Sequence, residues 1–204
     1  MKPFTKNEYI ITGVIFFLVI VITLLNLRVA IRRSRDVQRR ADMGVIANVL
    51  EKYNEDFGYF PPAEDGKLKA CKAENFDEVV ADIKDDPVFD RKKLFTGFRV
   101  CSWGEDELRD PFDSEYEPYL KVIPQDPSEE DGILYTYFSN ENLFQIYAHL
   151  EGGNTEESYD QGIVGRNIKC GDRVCNFGKS YADIPLDKSI EEYEMELEML
   201  RRTR

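Results

Sequence analysis

No position in residues 9–27 carries a charge, and apolar side chains fill nearly all of the run. As a helix these 19 residues rise about 28 Å, close to the hydrocarbon thickness of a bilayer. Many are β-branched, which in water favours strand, but no globular strand needs so long an unbroken apolar run and a spanning helix does. A cleaved secretory signal would have a shorter apolar core and a small-x-small cleavage site, which Leu25-Asn26-Leu27-Arg28 does not offer. The pattern predicts a transmembrane helix over 9–27. The period then changes without a break. Val37, Ala41, Val45, Ile46, Val49, Leu50, Tyr53 and Phe57 recur at helical spacing, which predicts an amphipathic stalk over 28–58 with one face on a soluble domain. Gly58, followed by Tyr59-Phe60-Pro61-Pro62, marks its end.

Beyond the stalk the pattern is shorter-ranged. Residues 63–118 read as an acidic, irregular insertion into an α+β domain spanning 59–178. Within it Phe76, Val79, Val80 and Ile83 give 75–84 helical spacing, Phe89, Leu94 and Phe95 follow, and 96–103 alternates as a short strand. Asp110-Pro111-Phe112-Asp113 reads as a turn, and 116–123 leads on from it. Residues 134–138 and 143–150 are two β-rich runs separated by Ser139-Asn140-Glu141-Asn142, a hairpin. A polar loop over 151–165 comes next. In the acidic tail 179–204, Ile190, Tyr193, Leu197 and Leu200 form a helical stripe over 189–204, with acids first and arginines last as the helix dipole favours.

Charge divides the chain. Residues 1–58 hold nine basic and six acidic side chains, a net +3, against −15 for the remainder and −12 for all 204 residues. An acidic domain argues against a nucleic-acid partner for that domain and against flat docking on anionic lipid. The arginines of 28–40 directly follow the apolar run, which makes lipid headgroups their expected contact. By the positive-inside rule they favour a cytoplasmic location for their side. The four cysteines, an even count in a small loop-rich domain, instead suit an oxidising compartment.

Catalytic and metal chemistry finds little support. Gly178-Lys179-Ser180 resembles the end of a phosphate loop, but Arg173 stands where its first glycine belongs. The single histidine, His149, sits in an apolar strand pattern, so no nucleophile–histidine–acid set can be assembled and no enzyme is expected. Zinc would need a second close cysteine pair beside Cys170 and Cys175. The spacings favour disulfides Cys71–Cys101, constraining the insertion, and Cys170–Cys175. Calcium is the one cofactor with candidates: the loops 110–115, 126–131 and 154–160 each cluster oxygen donors, with Asp126, Glu129 and Asp131 the candidate ligands. Acids solvated in turns are the competing reading, since EF-hand spacing is absent.

Phe4-Thr5-x-x-Glu8 before the apolar helix, then Ser34-Arg35-Asp36-Val37-Gln38-Arg39-Arg40-Ala41-Asp42, Leu50-Glu51-Lys52-Tyr53 and Gly58-Tyr59-Phe60-Pro61, resemble type IV pilins. Within them the chain is most similar to the pseudopilin G-like proteins. Residues 124–151 and, weakly, 170–178 continue the likeness. The resemblance implies a membrane subunit of a pilus, type II secretion or DNA-uptake machine that partners with like subunits and assembly machinery. Its single-pass helix would lie in the cytoplasmic membrane and its domain outside. It implies a small antiparallel sheet packed on the stalk over Val45, Val49, Tyr53 and Phe57, and calcium near that sheet. It further implies cleavage between Pro3 and Phe4, N-methylation of Phe4, and a Glu8 carboxylate that neutralises a neighbour's terminal ammonium. Read from the residues alone, Glu8 is an interfacial residue at the favourable end of the helix dipole. Pro3 stands where the family has glycine, and Lys6 and Asn7 where it has apolar residues. These departures keep open a second reading, an uncleaved single-pass anchor for an extracytoplasmic binding domain that does not polymerise.

Overall fold

The computed structural model describes residues 5–84, 90–155 and 158–203. Its first element, α1 (Lys6–Phe57), is one continuous helix, about 78 Å long at the usual rise. Thr5 is its N-cap, and the Glu8 carboxylate reaches back to accept from the Thr5 N–H at 2.6 Å. At the other end Gly58 takes the left-handed conformation, φ 72°, and donates its N–H to Asn54 O at 2.7 Å. A side chain there would be strained, so glycine stops the helix.

The two halves of α1 live in different surroundings. Residues 5–31 are exposed throughout, so the apolar run is no core helix, and it is long and apolar enough to cross a membrane. From Asp36 onward one face is buried through Asp36, Arg39, Met43, Ile46, Ala47, Leu50 and Tyr53. That face is rotated from the one expected. Val37 and Val45 point outward, 58% and 44% exposed, and Val49 is only partly buried. The expectation counted apolar side chains alone, whereas the buried stripe begins with a charged pair.

Behind that face lies an antiparallel sheet of β4 (Thr136–Ser139), β5 (Phe144–Ala148) and β8 (Phe177–Ser180), with β5 in the middle and buried at every position. The expected hairpin is present, with Thr136 opposite Tyr147 and Ser139 opposite Phe144. The third strand was not foreseen. Gly178 lies opposite Tyr147, and a Cβ there would meet Ile146 O at 2.8 Å and the Tyr147 ring at 2.9 Å. The glycine that suggested a phosphate loop is thus required by strand packing. Leu50, Tyr53, Phe60, Tyr137, Phe144 and Ile146 form the shared core of helix and sheet.

The region 63–118 is more ordered than its acidity suggested. β1 (Ala63–Glu64), β2 (Lys67–Lys72) and β3 (Phe98–Val100) make a second antiparallel sheet, in which Leu68 and Ala70 of β2 face inward. α2 (Phe76–Lys84) and α3 (Arg91–Thr96) pack beside it, α3 started by Asp90, whose carboxylate accepts from Lys92 N at 2.9 Å. The expected α2 and the strand at 98–100 are in place, while β2 and α3 are new, and Phe89 lies outside the described residues. In the polar loop over 151–165, α4 (Gln161–Gly165) is started by Asp160. The short pair β6 (Lys169–Cys170) and β7 (Arg173–Val174) follows, and the chain ends in α5 (Ile190–Arg202). The architecture is α+β, a long N-terminal helix on small antiparallel sheets.

The rotated face is open to test in the detergent-solubilised full chain by chemical denaturation. Leu50→Ala, at a fully buried position, should lower stability by about 3 kcal/mol. Val45→Ala should change it by less than about 0.5 kcal/mol, and the opposite ranking would refute the packing described.

Candidate functional site

The most constrained polar arrangement sits where α1 enters the domain. Asp36 and Arg39 lie three residues apart on the buried face, and Arg39 has no solvent exposure. A guanidinium has five N–H donors, and here each one finds an acceptor. Nε donates to Asp126 Oδ2 at 2.8 Å, and Nη2 to Asp126 Oδ1 at 2.8 Å and Ser128 Oγ at 3.2 Å. Nη1 donates to Asp36 Oδ1 and to Glu151 Oε1, both at 2.8 Å. The carboxylates are satisfied in turn. Asp36 accepts the backbone N–H groups of Glu151 and Gly152 at 2.9 Å each, and Asp126 accepts that of Ser128 at 2.8 Å. Arg35 closes the array with a two-pronged contact to Glu151 at 2.7 and 2.5 Å.

Burial opposes the charge on Arg39, but the hydrogen bonds and the nearby Asp126 outweigh it and hold the guanidinium firmly protonated. Hydrogen bonding to Arg35 first, against the cost of burial, and then to Arg39 pulls the Glu151 carboxyl down to about 2. Nearby, burial raises the Asp42 carboxyl, which accepts from the Tyr135 hydroxyl at 2.8 Å. On the solvent side lies an open hollow of about 550 Å³ lined by Arg35, Asp131, His149, Glu151 and Arg173. His149 lies just past β5 and donates from Nδ1 to Val174 O at 2.7 Å. Its lining carries two arginines and two carboxylates, of which Arg35 and Glu151 already pair with each other, so it favours neither sign of ligand.

The expected site residues fall into separate places. Pro3 and Phe4 lie outside the described residues, and Glu8 serves the helix cap. Cys71–Cys101 and Cys170–Cys175 are disulfides, as expected from their spacing. Asp126, Glu129 and Asp131 do not form a calcium cage. Both Asp126 oxygens are taken by Arg39, while Glu129 and Asp131 lie on a 3₁₀ turn, with Asp131 facing the hollow. Among the described residues one trio of potential ligands converges, Cys71, Cys101 and Asp106, but its sulfurs are bonded to each other. The arginine block also needs correction, since Arg35 and Arg39 contact the domain and not headgroups. Sequence reading missed this array because Asp36-x-x-Arg39 looks like any i,i+3 surface pair. Its other members lie 87 and 112 residues away from Arg39.

No protein-family model, curated protein or solved structure matches this chain.

Removing Arg39 leaves Asp36 and Asp126 buried without their cation. Arg39→Ala should therefore cost about 3–5 kcal/mol, and Arg39→Lys, with three donors for five acceptors, should recover only part of it. Acid should act on the same array. The folded Glu151 pKa lies below its unfolded value, so its stabilisation is complete above the ordinary carboxylate pKa of 4.5 and is lost as pH falls toward about 2. Denaturation followed between pH 5 and 2 should show a steeper fall for the native chain than for Glu151→Gln. Equal slopes would show that Glu151 is not the group responsible.

Proposed function

We propose that the chain is a pilin-like, pseudopilin-like membrane subunit of a pilus, type II secretion or DNA-uptake machine, working through lateral packing of α1 rather than catalysis. The observation that carries this reading is the division of α1. Its first half is an apolar rod left exposed along its length among the described residues, and its second half is locked into a disulfide-bonded domain. Such a rod needs either lipid or the matching rods of other copies. The disulfides suit a domain outside the cytoplasm, with the rod in the cytoplasmic membrane.

A second reading, the uncleaved anchor, is favoured by the cap at Glu8. Its carboxylate already has a donor, the Thr5 N–H at 2.6 Å, and needs no neighbour's ammonium to satisfy it. The mass of the N-terminal peptide from protein isolated out of its native membrane separates the two. The subunit reading expects a chain that begins at N-methylated Phe4. A chain still beginning at Met1 or Lys2 would sink processing and leave the anchor.

A further inference from the structure

The hollow beside the Arg39 array has two charged side chains in its lining that the array does not use. Asp131 and Arg173 both line it, and among the described residues neither side chain makes a hydrogen bond or an ion pair. The backbone holds them apart. Asp131 ends the 3₁₀ turn Glu129–Asp131, which Gly132 closes at φ 76°. Arg173 opens β7, in a hairpin tied by the Cys170–Cys175 disulfide. Turn and hairpin are joined by Asp172 N–H to Gly132 O at 2.8 Å and by Leu134 N–H to Cys170 O at 3.3 Å. Gly171 permits that approach, since a Cβ there would fall 2.0 Å from Gly132 O. Two opposite charges are thus held at a set spacing without neutralising each other. That arrangement suits a ligand carrying both an ammonium and an anionic group.

The place of the hollow says where such a ligand comes from. Arg35 and Glu151 also line it, and Asp36, next to Arg35, is the first residue of α1 that the domain buries. The hollow therefore lies at the end of the domain nearest the apolar rod. Arg35 follows Leu27 by eight residues, about 12 Å along the helix, while headgroups extend about 5–8 Å beyond the hydrocarbon on each side of a bilayer. Helix side chains lean back toward the N-terminus, which brings the rim of the hollow to the outer edge of that layer. One turn closer to the rod, half-buried Arg32 has an Nε–H with no acceptor among the described residues. A buried donor left unpaired is costly, and a lipid phosphate is the acceptor at hand at that depth.

We propose that the hollow is a headgroup site for a zwitterionic phospholipid with a primary ammonium, the phosphatidylethanolamine class. The phosphate accepts from the Arg173 guanidinium, and the ammonium donates to the Asp131 carboxylate. His149, whose Nδ1 donates to Val174 O, leaves Nε2 as a further acceptor in the lining. Arg35 and Glu151, already paired, form the wall between the hollow and the array. A choline headgroup has no N–H to donate and a glycerol headgroup carries no cation, so neither satisfies Asp131. Occupancy ties the domain to the bilayer surface, for the assembling subunit and for the fixed anchor alike, since both place the rod in lipid.

The test equilibrates the full-length chain in detergent with equimolar phosphatidylethanolamine, phosphatidylcholine and phosphatidylglycerol of identical acyl chains, and counts retained lipid by native mass spectrometry. Phosphatidylethanolamine should be retained above the other two. Asp131→Asn and Arg173→Gln should each lower its retention about tenfold. The two variants change net charge in opposite directions, so a loss in both is not an effect of overall charge. Arg173→Lys, which keeps a cation for the phosphate, should recover most of the loss. Glycerophosphoethanolamine, the same headgroup without acyl chains, should displace little of the lipid when added in modest excess, because chains lying beside α1 raise the headgroup's local concentration. Full displacement would overturn the lipid as occupant in favour of a free zwitterion. Retention unchanged in both Asp131→Asn and Arg173→Gln would overturn the site. So would a preference for phosphatidylglycerol that Arg32→Gln abolishes and Asp131→Asn leaves intact, which would assign headgroup binding to the arginines of α1 alone.

Discussion

The fully bonded guanidinium of Arg39 is the constraint on which the arrangement of helix and domain depends. It lies on the helix, but its acceptors come from three separate parts of the chain, so the array forms only when the domain is seated on α1 in one rotation and at one height. A buried ion pair is weak evidence of net stability, because desolvating the charges offsets much of their attraction. It is strong on geometry, because every donor without an acceptor would be costly. The aliphatic and aromatic contacts of Met43, Leu50 and Tyr53 supply the burial. Those contacts tolerate small slips of one surface over another, and Arg39 does not.

The sequence made the larger elements legible because they have long or strongly periodic signals. The apolar rod, the end of α1 at Gly58, α2, the β4–β5 hairpin, α5 and both disulfides all follow from spacing and terminators. The helix face did not, because a stripe counted in apolar residues ignores a buried arginine whose partners are supplied by folding. The third strand was hidden for a related reason. In Phe177-Gly178-Lys179-Ser180 the alternation is broken by a glycine whose role, making room for Tyr147, exists only once β5 lies beside it. Asn176 is a further case. Its side-chain amide pairs with both backbone groups of Leu150, at 2.7 and 2.9 Å, extending the sheet at a point where the residue type predicts a turn.

The candidate calcium turn shows how composition alone misleads. Asp126, Glu129 and Asp131 supply the hard oxygens that calcium requires, but an arginine supplied by a distant helix competes for the first of them. In a domain with so many acids, the informative question is which carboxylate is buried and by which cation it is met. Asp126 and Asp36 are buried and met by Arg39, whereas most of the remaining acids lie at the surface.

The same clamp bears on how force or rotation passes between rod and domain. Gly44 sits within α1 with open space around its Cβ position, and glycine inside a helix costs about 1 kcal/mol relative to alanine. In an isolated helix that would be a natural place to bend. Here both flanks are fixed, by Asp36, Arg39 and Met43 before it and by Ile46, Ala47 and Leu50 after it, all on the face held by the domain. The remaining freedom lies ahead of Asp36, in the exposed basic segment between clamp and apolar run. Displacing the apolar rod along its axis therefore carries the domain with it as one body, and any change of tilt is taken up at 28–34, ahead of the Arg35 contact to Glu151. In that segment Arg28 and Arg33 are exposed, whereas Arg35 behind it is already held by Glu151.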